Sequence, residues 1–264
     1  MNIKVLRDKD LFLSFLVEGT DDFYMNAIRR LIQDEVPTMA IEEVEFKKND
    51  SALYDEIIAL RLGLLSLKTD LKGYTLPADC TCQGAGCAKC TLDLTLKTTA
   101  SGYIKADKMK SKDPAVVPVY PETPIAYLTE NQILEFSAKA VLGKGKVHAK
   151  WSPGLASYRH KPEIKIDKTK SKGHISIVNV CSKKVLEEKN GAISIAHDKL
   201  MDCDLNMACV AAGPKGAIEV TGVPDAFIFT LESWGQLSTK EIFETAIAEF
   251  DKKLDEFTTH LKAL

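Results

Sequence analysis

The apolar positions in the first fifty residues change from a period of two to a helical period and back. Residues 2–18 alternate as two strands that are separated by the charged turn at 7–10. Residues 22–34 predict a helix, which Thr20 or Asp21 can cap and Pro37 ends. Its apolar face consists of Ala27, Ile28, Leu31 and Ile32. Extended apolar spacing returns over 39–46, so this region predicts strands around one amphipathic helix.

The middle of the chain predicts short elements around a loop. The apolar segment at 53–67 predicts a short helix to Gly63 and extended chain afterwards. Pro, Gly, Thr and Cys dominate residues 74–86, which indicates a loop without an apolar core of its own. Strand patterns follow at 91–98 and 132–142, and two strands around a turn at 223–225 are expected near the end.

The last helix has the most regular pattern. Its apolar residues alternate at spacings of four and three: Phe243, Ile247, Phe250, Leu254, Phe257, Leu261 and Leu264. That spacing is typical of a helix that lies along another helix. Packing of this helix on its own domain alone explains the pattern equally well, so both interpretations stay open.

Composition narrows the class of protein. Of 264 residues, 45% are hydrophobic and 27% are charged, which excludes wholesale disorder and a fibrous repeat. The length favours two or three structural units. A formal net charge of -2 provides no general attraction to nucleic acid or to an anionic membrane. The charged start of the chain excludes a signal-peptide core, and no apolar run is long enough to span a membrane, so we expect a cytoplasmic protein.

Four cysteines lie within eleven residues as C-x-C-x4-C-x2-C: Cys80, Cys82, Cys87 and Cys90. Four thiolates so spaced can surround one tetrahedral zinc ion, and a site filled by sulfur leaves no position for a reactive water. We therefore expect structural zinc rather than four unrelated thiols, which would be open to oxidation. A nucleic-acid-binding finger is disfavoured because the loop offers Lys89 as its one cation and no aromatic residue.

Cys181, Cys203 and Cys209 form a second, looser set. The run from 203 to 209 resembles the cysteine run of a bacterial ferredoxin, with Asn206 in place of the middle cysteine. Three sulfurs could hold a 3Fe-4S cluster. The alternative is that these cysteines are small buried apolar side chains.

No catalytic constellation is recognisable. The five histidines are scattered and lie outside the metalloprotease and nucleophile-elbow motifs: His148, His160, His174, His197 and His260. Residues 143–150 contain glycines and lysines but lack the G-x4-G-K-[ST] phosphate loop. We interpret this stretch as a contact loop.

Four longer segments together resemble the archaeal RNA polymerase D subunits, relatives of the third-largest subunit of eukaryotic polymerase II and of the bacterial α amino-terminal domain. They span residues 26–46, 53–67 (LYDEIIALRLGLLSL), 113–119 (DPAVVPV) and 142–153 (LGKGKVHAKWSP). The resemblance implies an α+β fold with a discontinuous, α-subunit-like dimerisation domain at 1–45, 155–167 and 217–264. It also implies a mixed α/β insert domain with a zinc loop at 46–154 and a small ferredoxin-like insertion at 168–216.

The resemblance also implies the partners. A D subunit forms a heterodimer with the smaller L subunit, nucleates assembly of the polymerase (EC 2.7.7.6) and contacts subunits N and P and the second-largest catalytic subunit. It has no catalytic residues and meets nucleic acid only through the polymerase. The expected contact residues lie on the first and last helices: Ala27, Arg29, Arg30, Leu31, Phe243, Ile247, Phe250, Leu254, Phe257 and Leu261.

Two other functions compete with this hypothesis. An iron–sulfur electron carrier would use the cysteines at 181–209 but would leave most of the chain unexplained. A zinc-dependent nucleic-acid binder would need clustered basic and aromatic residues, which the near-neutral charge does not favour.

Overall fold

A computed structural model describes residues 1–263; Leu264, the last residue of the predicted stripe, lies outside this range. Within this range the chain forms twelve strands and five α-helices, besides four single-turn 3₁₀ helices. In chain order these are β1 Asn2–Lys9, β2 Phe12–Glu18, α1 Asp22–Asp34, β3 Pro37–Asn49, α2 Asp55–Gly63, β4 Thr91–Thr98, β5 Gly102–Lys105, β6 Lys110–Ser111, β7 Pro124–Leu128, β8 Leu134–Lys144, β9 Gly154–Ile166, α3 Ser176–Asn179, β10 Leu186–Lys189, β11 Ala192–Ile195, α4 Ala208–Ala211, β12 Ile218–Ser233 and α5 Thr239–Lys262.

The chain divides into two compact units. The first contains Met1–Asp8, Leu13–Ala27 and Ser157–Thr230, and the second contains Lys9–Phe12, Ile28–Ala156 and Leu231–Leu264. The elements confirm the expected α+β class. The three predicted domains remain a prediction, since contacts within one chain do not define which parts fold alone.

The first unit holds most of a four-stranded sheet with the order β1-β2-β12-β9. Phe15 and Phe229 stack across it with ring centroids 5.4 Å apart. A small antiparallel pair, β10 and β11, lies in the segment between β9 and β12. An apolar cluster around Ile177 and Leu186 joins that segment to the ends of β9 and β12.

The second unit is built on a sheet with the order β3-β8-β4-β6. All three pairs of neighbouring strands in this sheet are antiparallel. Strand β3 pairs with β8 from Pro37 opposite Lys144 to Asn49 opposite Leu134. Helix α2 buries Ile58 and Leu62 against this sheet, in a core that also contains Phe136. Ile58 and Leu62 are four residues apart and so share the face of α2 that meets the core, whereas Ile57 and Leu60 are exposed to 42% and 59%.

One predicted element is wrong. Residues 218–233 form the single strand β12 rather than a hairpin that turns at 223–225. The backbone has no left-handed residue at 223–225. The chain stays paired in this segment, because the Asp225 carbonyl accepts the Gly19 amide at 2.8 Å. Gly222 allows the close approach of a neighbouring strand rather than a turn, because a Cβ atom at this position would lie 2.7 Å from the His160 Cβ.

Candidate metal centre and partner surfaces

The cysteine loop lies between α2 and β4. A short turn at Pro77–Asp79 leads into Cys80, and Cys90 directly precedes the first residue of β4. Between them Gly84 and Gly86 have φ angles of 82° and 85°, a region that L side chains rarely adopt. These left-handed turns fold the loop back so that both ends bring their cysteines together.

The four sulfur atoms form one compact group. Cys80 Sγ lies 3.5 Å from Cys82 Sγ and from Cys87 Sγ, and Cys90 Sγ lies 3.5 Å from Cys82 Sγ and 3.9 Å from Cys87 Sγ. All four lie within 4.8 Å of one another. Sulfurs at the corners of a tetrahedron around an ion at ~2.3 Å would be ~3.8 Å apart. The arrangement is therefore suited to one metal ion with four thiolate ligands.

Sulfur contacts and burial shift the pKa values of two of these thiols in opposite directions. Contact with the neighbouring Cys80 sulfur lowers the pKa of the Cys82 thiol to about 6. Burial raises the pKa of Cys90, which is fully buried, to about 12. Four closely packed thiols cannot all ionise without a counter-charge, so a bound cation would take the place of the protons.

Hydrogen bonds within the second unit fix the base of the loop. The Tyr74 hydroxyl donates to Asp113 Oδ2 at 2.8 Å, and the Thr75 amide donates to the Lys89 carbonyl at 2.9 Å. Asp113 also accepts the Ala115 amide with Oδ1. The segment DPAVVPV thus has a structural role: its aspartate ties the entrance of the cysteine loop to the body of the unit.

The second cysteine set belongs to the apolar cluster of the first unit. Cys209 is buried among Ile177, Leu186 and Ile218, and Cys203 packs against the same cluster. Burial raises the pKa of both thiols and favours their neutral form. Asn206, at the middle position of the run, accepts the Ala208 amide with its Oδ1 at 3.0 Å.

Gly213 also lies against this cluster. A Cβ atom there would lie 2.6 Å from Ile177 Cδ1, so a larger residue would require Ile177 to shift. Among residues 1–263, the loop cysteines are the one group of three or more ligand residues with all donor atoms within 4.8 Å. The surroundings of Cys181, Cys203 and Cys209 favour the interpretation as packed apolar side chains, and the 3Fe-4S cluster stays a prediction.

The predicted apolar stripe on α5 divides into two parts. In the first half of the helix, Phe243, Ile247 and Phe250 are half-buried. Ile242 and Ala246, beside this stripe, are fully buried. Residues 251–263 are all exposed. There the stripe continues with Leu254, Phe257 and Leu261, exposed to 49%, 61% and 52%. The second half of α5 therefore presents apolar side chains that its own chain does not cover.

The residues predicted on α1 differ in their exposure. Arg30 is exposed and lies 3.8 Å from Asp34, and Arg29 donates to Gln33 at 2.8 Å. Ala27 is half-buried. Leu31 is 7% exposed and belongs to the chain's own core, so its assignment to the partner surface is corrected. The helical period identified the apolar face of α1 but not which molecule covers it.

The glycines and lysines at 143–153 mainly make contacts within the chain. Gly143 lies under the Trp151 indole, where a Cβ atom would be 2.3 Å from the ring. Lys150 donates to the Ile41 carbonyl and lies over the Trp151 ring, 4.4 Å from its centroid. The exposed part of the segment is its tip, where Val147 is 77% exposed. The predicted contact loop is thus narrowed to the residues at 146–149.

The sequence contained a helix signal that the pattern analysis missed. Ser238 and Glu241 form a capping box at the start of α5: Ser238 Oγ accepts the Glu241 amide, and Glu241 accepts the Ser238 amide at 2.9 Å. The S-x-x-E spacing could have revealed it. The ion pairs Glu35–Lys144, Lys144–Glu249 and Glu35–Lys253 were also missed, because each joins residues that are far apart in the sequence.

The comparisons with known proteins are consistent with this architecture. Residues 44–167 match the model of the RNA polymerase Rpb3/RpoA insert domain. DNA-directed RNA polymerase subunit Rpo3 of Methanosphaera stadtmanae is 35% identical over 97% of this chain and 96% of its own length. The Rpo3 proteins of Pyrococcus horikoshii and Pyrococcus furiosus are also 35% identical over the whole chain, which covers 99% and 98% of them.

The chain belongs to the Rpo3 family of DNA-directed RNA polymerase subunits. Identity over full length, rather than over the insert domain alone, decides this, because it includes α5 and the second cysteine region. The resemblance to archaeal D subunits is confirmed, and with it the role of an assembly subunit in the polymerase complex EC 2.7.7.6. The comparisons give no support to the iron–sulfur electron carrier.

This Rpo3 family member has no candidate membrane-spanning helix in the part of the chain that the structure describes. Even α5, with 24 residues, carries charged side chains on most turns.

Proposed function

We propose that this Rpo3 family member pairs with the smaller L subunit through α5 and so begins assembly of the polymerase. The single observation that carries this proposal is the exposure of Leu254, Phe257 and Leu261 on a helical half whose residues are all exposed. Burial of a Leu or Phe side chain is worth about 1.5–3 kcal/mol. A second helix along this stripe would cover all three, as the spacing of four and three requires.

The partner helix would also remove a liability of the isolated chain. An exposed apolar stripe on a soluble subunit favours aggregation or association. We therefore expect poor solubility for the chain expressed alone and a single 1:1 complex when it is co-expressed with an archaeal L subunit. Size exclusion with light scattering measures both outcomes.

Paired substitutions on two sides of α5 test the surface. Leu254→Asp with Phe257→Asp places two charges in the proposed interface and should abolish the complex. Lys252→Asp with Thr259→Asp lies about half a turn away on the same exposed half and should leave it intact. A complex that survives the first pair would refute the interface, and loss with both pairs would indicate damage to the helix itself.

We propose zinc as the ion held by Cys80, Cys82, Cys87 and Cys90. The donor set supports it: four thiolates at tetrahedral spacing match structural zinc and leave no position for a substrate or water. The ion would replace an apolar core for the loop at 77–90. Elemental analysis of the purified complex should give one zinc per chain, and Cys82→Ser should lower that value, whereas Cys181→Ser should not.

The same analysis decides the second cysteine set. If Cys181, Cys203 and Cys209 are packed apolar side chains, the complex purified without oxygen contains no stoichiometric iron and has no cluster absorbance. Iron that is lost in Cys203→Ser would establish the 3Fe-4S cluster instead.

Contacts with subunits N and P and the second-largest catalytic subunit are proposed at the tip of the loop at 146–149. Val147, 77% exposed at this tip, supports this place because it offers an apolar side chain that the chain itself does not cover. Val147→Glu should weaken incorporation of the D–L pair into the larger assembly without affecting the pair itself. Full incorporation of this variant would place the contacts elsewhere.

A further inference from the structure

An ion network lies at the point where α5 leaves the body of the second unit. Lys144 Nζ lies 3.2 Å from Glu35 Oε2 and 2.6 Å from Glu249 Oε2, and Lys253 Nζ lies 3.0 Å from Glu35 Oε1. The side chains of Glu35, Glu249 and Lys144 are 11%, 18% and 22% exposed. The network thus joins three parts of the unit: the end of α1, the end of β8 and the middle of α5.

The two members outside α5 are held rigidly. Lys144 is the last residue of β8 and pairs with Pro37 of β3. The next residue, Gly145, packs so closely on α1 that a Cβ atom would lie 1.9 Å from the Gln33 carbonyl oxygen. The Lys146 amide donates to the Asp34 carbonyl at 3.0 Å. The ends of β8 and α1 therefore hold the charged groups of Lys144 and Glu35 in fixed positions beside α5.

The network is also the last buried contact along α5. The fully buried apolar residues Ile242 and Ala246 lie about three and two turns before Lys253, on the same helical face as Glu249. From Asp251 onward every described residue is exposed, and Lys253 reaches back to Glu35 from this half. Among the described residues, apolar packing of α5 ends at Phe250, so the ion pairs are the last contacts that hold the direction of its exposed half.

We infer that Glu35, Lys144 and Glu249 position the exposed half of α5 for its partner. This inference rests on the proposed pairing and assigns these residues a role in preorganisation, without contact to the partner. Partly buried ion pairs contribute little net stability after desolvation, but their geometry is specific. Without them the helix would sample several directions, and only a fraction of molecules would present the stripe correctly.

This role makes a kinetic prediction. When only a fraction of molecules is competent to bind, the apparent Kd rises by the inverse of that fraction. If Glu249→Gln or Lys144→Met reduces the competent fraction to about a tenth, the association rate constant for the L subunit should fall about tenfold. The dissociation rate constant should stay unchanged, because the residues in the interface are the same.

The controls use the same helix. Glu244→Gln removes the exposed pair with Lys240, whose oxygen and nitrogen are 3.7 Å apart, and should leave both rate constants unchanged. The double variant of Lys144→Met and Glu249→Gln should bind about as slowly as either single variant, since each removes the same contact. Circular dichroism and zinc content confirm that the variants are folded before rates are compared.

Surface-immobilised L subunit and the full chain, freshly separated from its co-expressed complex, provide the rates. Slower association with an unchanged dissociation rate supports the inference. Unchanged association in Glu249→Gln and Lys144→Met would overturn it, and so would faster dissociation alone, which indicates direct contact with the partner. Failure of the unaltered chain to bind would refute the proposed pairing instead.

Hydrogen exchange of the chain without its partner gives a second readout. Amides at 242–253 should exchange several-fold faster in Glu249→Gln than in Glu244→Gln, while those of β8 stay protected. Equal exchange in both variants would overturn the positioning role.

Discussion

The Tyr74 hydroxyl donates a 2.8 Å hydrogen bond to Asp113 Oδ2 across 39 residues of sequence. Burial and this carboxylate raise the pKa of Tyr74 to about 12. The bond joins the entrance of the cysteine loop to the DPAVVPV segment. Both partners therefore contribute to the position of the loop without touching a sulfur atom.

Tyr74→Phe should destabilise the protein by about 1 kcal/mol, because it leaves Asp113 Oδ2 of a partly buried carboxylate without this donor. Chemical denaturation measures the change, and Tyr103→Phe, an exposed tyrosine, is the control. The contribution of Tyr74 should be complete below pH 10, the ordinary pKa in the unfolded chain, and decline as pH rises toward 12. Equal stability of both variants at neutral pH would contradict this role.

Gly145→Ala should be strongly destabilising, since the new methyl group would lie 1.9 Å from the Gln33 carbonyl oxygen. A backbone oxygen at the end of α1 cannot rotate away, so we expect a cost of about 3 kcal/mol. Gly63→Ala is the matched control, because its Cβ atom would lie 3.7 Å from the nearest atom, the Ile41 carbonyl oxygen. Thermal unfolding of the two variants compares them, and similar melting temperatures would contradict the close approach.

Gly213→Ala should destabilise the first unit, because its Cβ atom would lie 2.6 Å from Ile177 Cδ1. Overpacking of this kind costs about 1–3 kcal/mol. Ile177→Val removes the clashing methyl group and alone costs about 0.5–1.5 kcal/mol. The double variant should therefore be more stable than the sum of the single changes implies. Simple additivity in denaturation experiments would show that the two residues do not touch.

Acid should weaken the ion network at Glu35. Burial opposes ionisation of this carboxyl, but hydrogen bonds from Lys253 and Lys144 outweigh it, so its pKa lies below the ordinary 4.5. The folded state therefore binds fewer protons than the unfolded chain, and the stabilisation is present above pH 4.5 and lost as pH falls through the lower folded value.

Denaturation between pH 3 and 7 should show a smaller loss for Glu35→Gln than for the unaltered chain. Glu130→Gln, at an exposed position, should follow the unaltered chain. An identical pH dependence in all three proteins would show that Glu35 is not stabilised by its two lysines.

Local pattern predicted the elements well where one face is apolar. The helical period at 22–34 and the alternation at 91–98 correspond to α1 and β4 with the expected bounds. The hairpin at 218–231 failed because the turn expected at 223–225 does not form: pairing with neighbouring strands keeps β12 extended. A local pattern shows which conformations the backbone can adopt, but pairing with neighbouring strands decides which one forms.

The sequence by itself determined the grouping of four cysteines and the apolar stripe of α5, because each depends on spacing within one short segment, and its resemblance to archaeal D subunits implied the α+β class. Only the tertiary structure decided that Leu31 is core, that Ile177 fills the space beside Gly213, and that Glu35 meets Lys144. These relationships join residues far apart in the chain. Periodicity records which side of an element is apolar, but the packing of distant elements decides what covers that side.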